Sequence, residues 1–138
     1  MSDYVVVDAS LWVSRLVVED VFHDLSRQWL NEQRKRGVQF VAPTLLVVEV
    51  AAAISRRTGD THLAQRAADA LKMLPDLRLV EMSNDVVQSA VFVGANLGVR
   101  GADAFYIAIA KQLRLPLATL DHDQRQRASQ IVETWHIE

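Results

Sequence analysis

The sequence predicts an α/β protein: a short, mostly parallel sheet of four or five strands between helical layers, in one domain spanning residues 1–138. Three observations predict it. Short apolar or β-branched runs, such as VVV at 5–7 and VQFVAP at 38–43, alternate with longer stretches whose apolar residues recur at helical spacing. Glycine or proline punctuates the joins at Gly37, Pro43, Gly59, Pro75 and Gly98. Carboxylates, Asp8 and Asp121, stand where two of the predicted strands end, which is where open α/β sheets receive their ligands.

Taken in order, Val5 to Val7 suit a buried strand, and Ser10 is placed to cap a helix beginning LWVSRLV. From Glu19 to Arg36 the residues Val21, Phe22, Leu25, Trp29 and Leu30 fall on one helical face. The cations of RKR at 34–36 complement that helix's C-terminal end before Gly37 stops it. VQFVAP is a second strand, and TLLVVEVAAAISRRTG a helix with Arg56 and Arg57 in its last turn and Gly59 as its stop. Asp60 or Thr61 caps THLAQRAADALKML, which Pro75 closes; LRLVEM is the third strand, and Ser83 or Asn84 caps DVVQSAVFVGANLG up to Gly98. ADAFYIAIAKQL is strongly helical, LPLATL is a strand ending at Asp121, DQRQRAS a short helix and IVETWHI a last edge strand.

Composition narrows the chemistry. At 138 residues, half of them hydrophobic and 23% charged, the chain can bury a substantial core. It contains no cysteine, which removes disulfides, thiolate metal sites and thiol nucleophiles, so any metal must be held by oxygen or imidazole. Neither a secretion-signal pattern nor an apolar run of membrane-spanning length is visible, so a cytoplasmic protein without a membrane partner is expected. The net charge of −2 does not advertise a polyanion binder, so any nucleic acid would have to meet a local basic patch.

Four carboxylates stand out against this background. Glu49 has Leu45 and Leu46 one turn before it and Ala52 and Ala53 one turn after, and Asp103 stands one turn before Tyr106 and Ile107. Both therefore lie on faces that their helices should bury. An isolated buried carboxylate must be paired, neutralised or bound to a metal. Each has a local explanation: Asp8 as a helix cap, Asp121 as a turn residue, Asp103 as a favourable charge at a helix N-terminus, Glu49 as the partner of a cation such as Arg15 or Arg100. Together they are harder to explain locally, because the lysines and arginines fall mostly at helix ends and in loops.

The segments VVVDAS, VVEV, GADAFYIAIA and TLDHD, in this order and spacing, resemble the four acidic motifs of the PIN-domain family, and in particular the toxin nucleases of VapBC-type toxin–antitoxin pairs. The resemblance covers nearly the whole chain. It implies that Asp8, Glu49, Asp103 and Asp121 form one acidic, catalytic and metal-binding cluster, with Ser10 and Thr119 as orienting hydroxyls and Asp123 as a fifth acid. It implies a Mg²⁺- or Mn²⁺-dependent endoribonuclease that leaves a 5′-phosphate and a 3′-hydroxyl, the toxin of its pair, dimeric and blocked by a cognate antitoxin. The absence of cysteine and of clustered histidines agrees with a hard ion of that kind. Arg100, Arg125 and Arg127 flank the third and fourth motifs and are candidates for RNA phosphate contact.

Trp12 and Trp29 lie on apolar stripes and are expected in the core or at an interface, while the Phe22 and Trp29 face could serve as a groove for a partner peptide or a dimer surface. Two other classes compete. A different α/β Mg-dependent phosphohydrolase or phospho-receiver also sets aspartates at strand ends, but a receiver wants an acidic pair after strand one and a late lysine, and a haloacid-dehalogenase-type enzyme wants D-x-D; Asp8 is followed by Ala9 and Ser10. The other is a catalytically silent PIN-like module that binds RNA or a partner; retention of all four acids ranks it below the nuclease.

Overall fold

The structure is a computed structural model, and it describes residues 3–138. β1 (Tyr4–Val7), β2 (Gln39–Pro43), β3 (Leu77–Val80) and β4 (Leu117–Ala118) form one sheet in the order β3-β2-β1-β4, with every pairing parallel. Val5, Val6 and Val7 are all fully buried. Because successive side chains point to opposite faces of a strand, β1 is covered on both sides, as a parallel sheet requires.

The covering comes from seven helices among the described residues. α1 (Ala9–Leu16) and α2 (His23–Lys35) connect β1 to β2, and α3 (Leu45–Thr58) and α4 (Thr61–Met73) connect β2 to β3. α5 (Asn84–Leu97) and α6 (Gly101–Leu113) carry the chain back past β1 to β4, and α7 (His122–Ala128) follows. The path runs outward from β1 through β2 to β3, then returns to β1's other edge. That reversal is a topological switch point between β1 and β4, and it opens a crevice beyond their carboxyl ends.

Trp12 and Trp29 both enter the core, packing on Phe40 with ring centroids 5.5 and 6.5 Å away. The expected caps at Asp60 and Ser83 form, accepting from the amides of Leu63 and Val86. Gly98 ends α5 at φ 67°, a left-handed turn that a side chain would strain.

Four expectations are corrected. Asp8, not Ser10, caps α1: its carboxylate accepts from the Ser10 amide, and the helix begins at Ala9, two residues earlier than LWVSRLV. The 19–36 helix starts only at His23, because the Asp20 carboxylate takes the Phe22 amide and holds residues 20–22 in a turn. β4 ends at Ala118 and not at Asp121, which instead caps α7 by accepting from the Gln124 amide. The edge strand over IVETWHI does not form; Thr134 makes an isolated bridge to Leu117, while Trp135 turns its ring against Trp29 at 6.4 Å.

Candidate active site

The crevice beyond β1 and β4 is a cleft of about 630 Å³ whose walls include Asp8, Glu49, Asp103 and Asp121. Four acids spread over 113 residues of chain therefore share one cavity, each delivered by a different element. Asp8 sits between β1 and α1, Glu49 lies mid-way along α3, Asp103 is in the first turn of α6, and Asp121 caps α7.

Asp8 is the deepest, 4% exposed. Its Oδ1 accepts from the Ser10 amide at 3.1 Å and the Ser10 hydroxyl at 2.6 Å, and its Oδ2 from the Thr119 hydroxyl at 2.6 Å. Burial pushes its pKa up to about 6, since removal from water outweighs the hydroxyl donors that favour the anion, and Asp103 nearby raises it further. Ser10 also takes the Leu120 amide and Thr119 the Asp121 amide, so both hydroxyls tie the end of β1 to the segment after β4.

Glu49 is half-buried and does not pair with Arg15. It accepts from the phenolic hydroxyl of Tyr106 at 2.6 Å, while burial and the neighbouring Asp103 raise its pKa. Asp103 is raised as well, first by burial and then by Asp121, against the lowering influence of Arg100. Arg100 reaches both, with Nε 3.0 Å from Asp103 and Nη2 3.3 Å from Asp121, on a side chain that is 77% exposed. One exposed cation thus compensates two acids incompletely, and among the described residues Asp8 and Glu49 have no ion-pair partner of their own.

Sequence reasoning missed two wall residues. Tyr106 is on the buried face of α6, three residues after Asp103, and an aromatic there reads as core; only the acid opposite it gives its hydroxyl a purpose. Gln124, buried on α7, puts its Oε1 3.1 Å from the Thr119 hydroxyl. The remaining candidates lie elsewhere. Asp123 is exposed and paired with Arg127, and Arg127 also donates to the Leu97 carbonyl at the end of α5. Arg125 turns to the ring nitrogens of His122 and His136. None of Asp123, Arg125 and Arg127 is part of the cleft wall.

Only oxygen donors converge from these acids, the ligand chemistry of a hard divalent cation. Among the described residues no three acidic or imidazole groups close into a ready-made cage. The carboxylates are nonetheless crowded enough to raise one another's pKa values, which is the imbalance that an added cation relieves.

A parallel sheet in this order, with acids gathered at its switch point, defines the class. The PIN domain family model matches residues 5–130, and the chain belongs to that family. No curated protein sequence matches it. Among solved structures, its fold is similar to the VapC20 toxin of Mycobacterium tuberculosis, described as cleaving the sarcin–ricin loop, at TM-score 0.78 and 19% identity over 94% of this chain and 97% of that one. It is also similar to VapBC2 of Rickettsia felis (TM-score 0.71, 14% identity, 96% and 99% covered) and to FitAcB of Neisseria gonorrhoeae (TM-score 0.71, 17% identity, 96% of each chain). No helix among the described residues is long and apolar enough to cross a membrane.

Proposed function

We propose that the chain is a Mg²⁺- or Mn²⁺-dependent endoribonuclease, the toxin of a toxin–antitoxin pair, with Asp8, Glu49, Asp103 and Asp121 as its catalytic acids. The observation that carries this reading is the meeting of the four acids in one cleft at the sheet's switch point. Membership of the PIN family and the fold shared with toxins and toxin–antitoxin complexes support it. The same neighbours support a cognate antitoxin as partner, and self-association into a homodimer completes the proposal.

In this reading Asp8, Asp103 and Asp121 hold the ion, and Glu49 binds it or orders a water beside it. When bound, a divalent ion supplies neutralisation of the phosphodiester charge and activation of a water for in-line attack. The chain's own groups prepare the place. Ser10 and Thr119 fix the Asp8 carboxylate, Tyr106 fixes Glu49, and Arg100, held here by Asp103 and Asp121, would be free to contact an RNA phosphate when those acids hold an ion. Arg100 is the only one of the three proposed RNA-contact arginines in the cleft wall, so the phosphate contact is assigned chiefly to it.

The test is incubation of the pure protein with a mixed RNA pool in Mg²⁺, Mn²⁺ or EDTA. Cleavage that EDTA and Asp8→Asn each abolish is the expected result; cleavage that persists in either arm rules the reading out.

A further inference from the structure

The acids fill only one end of the cleft. The other end is walled by Asp20, Phe22, Arg56 and Arg57, from the turn before α2 and the last turn of α3. Asp20 builds it. Its Oδ1 accepts from the Phe22 amide at 2.8 Å and the Ser14 hydroxyl at 3.0 Å, and its Oδ2 accepts from Arg57 Nη1 at 2.7 Å. One carboxylate therefore pins the backbone of Phe22 to the end of α3. Ser14 is itself buried and receives the Ser26 hydroxyl, so the anchor is rigid.

Three arginines line the cleft, and two are committed: Arg57 to Asp20, Arg100 to Asp103 and Asp121. Arg56 is exposed and has no hydrogen-bond or ion-pair partner among the described residues. Phe22 is 45% exposed although its backbone is fixed, whereas Tyr106, the other aromatic residue of the wall, is buried. A free guanidinium and a presented aromatic face on one wall match a single nucleic-acid strand, which offers a phosphate and a base together. An apolar peptide segment would cover Phe22 and leave the charge of Arg56 without a counterpart.

We propose that Phe22 and Arg56 are substrate-positioning residues, Phe22 stacking an unpaired RNA base and Arg56 holding a phosphate of the same strand as it leads to the acids. This rests on the endoribonuclease reading and assigns the contacts to the strand outside the acids to two residues, the base being unpaired because a base within a duplex cannot lie on Phe22.

The test is binding of a short fluorescein-labelled RNA pool, single-stranded or annealed to its complement, by full-length Asp8→Asn protein and the same protein carrying a second change. Phe22→Ala is expected to weaken single-strand binding about five-fold or more, and Phe22→Trp to keep it. Arg56→Ala is expected to lower the slope of log affinity against log salt by about 0.7, and Arg56→Lys to restore it. Duplex binding should be weaker and unaffected by Phe22→Ala. Native-like circular dichroism of each variant separates lost contact from lost fold, and Phe22→Trp and Arg56→Lys provide the comparison if an alanine variant is unfolded. Unchanged single-strand binding in Phe22→Ala and Arg56→Ala, or no RNA binding by the parent, overturns the inference. Cleavage by the wild-type protein that is insensitive to EDTA, alongside Phe22-dependent binding, overturns the metal-dependent reading and leaves the strand contacts of Phe22 and Arg56 standing.

Discussion

Tyr106 donates its phenolic hydrogen to Glu49 across 2.6 Å, joining α6 to α3 inside the cleft. The phenol is 1% exposed, and burial followed by the Glu49 charge drives its pKa far above the ordinary tyrosine range, so it acts there as a fixed donor. Its hydrogen bond opposes the burial that raises Glu49. Tyr106→Phe should cost about 1.5 kcal/mol in urea denaturation at neutral pH, the lower end for a bond to a charged group because Glu49 is only half-buried. The same variant should cleave RNA more slowly, with a higher Mn²⁺ requirement.

Asp8 makes the stability of the ion-free protein depend on pH in a defined direction. Its folded pKa of about 6 lies above its ordinary value of 3.8, so between those limits the folded state binds more protons than the unfolded one. Stability then falls as pH rises from about 4 to about 6. Asp8→Asn removes this dependence and should raise stability in EDTA at pH 7 by up to roughly 3 kcal/mol, with little gain near pH 4. Thermal melts of both proteins across that range check it. An Asp8→Asn protein less stable than its parent at pH 7 would refute the assignment.

Thr119 has one hydroxyl hydrogen, and the 2.6 Å contact to Asp8 claims it. The Gln124 amide has Oε1 3.1 Å from that hydroxyl and a buried Nε2 without a partner among the described residues; turned end for end, it donates to Thr119 and satisfies both contacts. Thr119→Val should therefore lose both stability and cleavage, about 1–3 kcal/mol for the former, while Thr119→Ser keeps most of each. Gln124→Glu, which removes the donor and adds a charge, should be more destabilising at pH 7 than Gln124→Met. Equal unfolding midpoints for the two Gln124 variants would contradict that hydrogen count.

Arg100 pairs with both Asp103 and Asp121, so on the proposed reading a cation would have to compete with it for those acids. Arg100→Gln should tighten Mn²⁺ binding by up to about five-fold per ion pair released, measured by calorimetry, and at the same time weaken RNA binding. Looser Mn²⁺ binding in this variant would show that Arg100 supports the ion site.

The alternation of elements and the acids at the ends of the sheet were legible because they follow from periodicity and from the cost of burying charge. Glu49 was the clearest signal, an acid between apolar turns of one helix. What the sequence left hidden depends on distant partners. Tyr106 looks like core until Glu49, 57 residues away, is placed opposite it. Val21 and Phe22 continue the helical spacing in sequence, yet α2 starts only at His23 because Asp20 captures the Phe22 amide. The last segment has the composition of a strand, but Thr134 contributes one bridge and Trp135 packs on Trp29. Arg125 and Arg127 stand near the fourth acid in sequence, yet their helix turns them towards His122 and the end of α5.

The neighbouring positions of β1 and β4 also order events during biosynthesis. A ribosome makes Asp8 early and Asp121 more than a hundred residues later, and the hydroxyl of Thr119 that holds Asp8 arrives only with the second. A growing chain thus carries no assembled acidic centre near the translation machinery. On the proposed reading, attack on RNA would start only after β4 has slotted in beside β1.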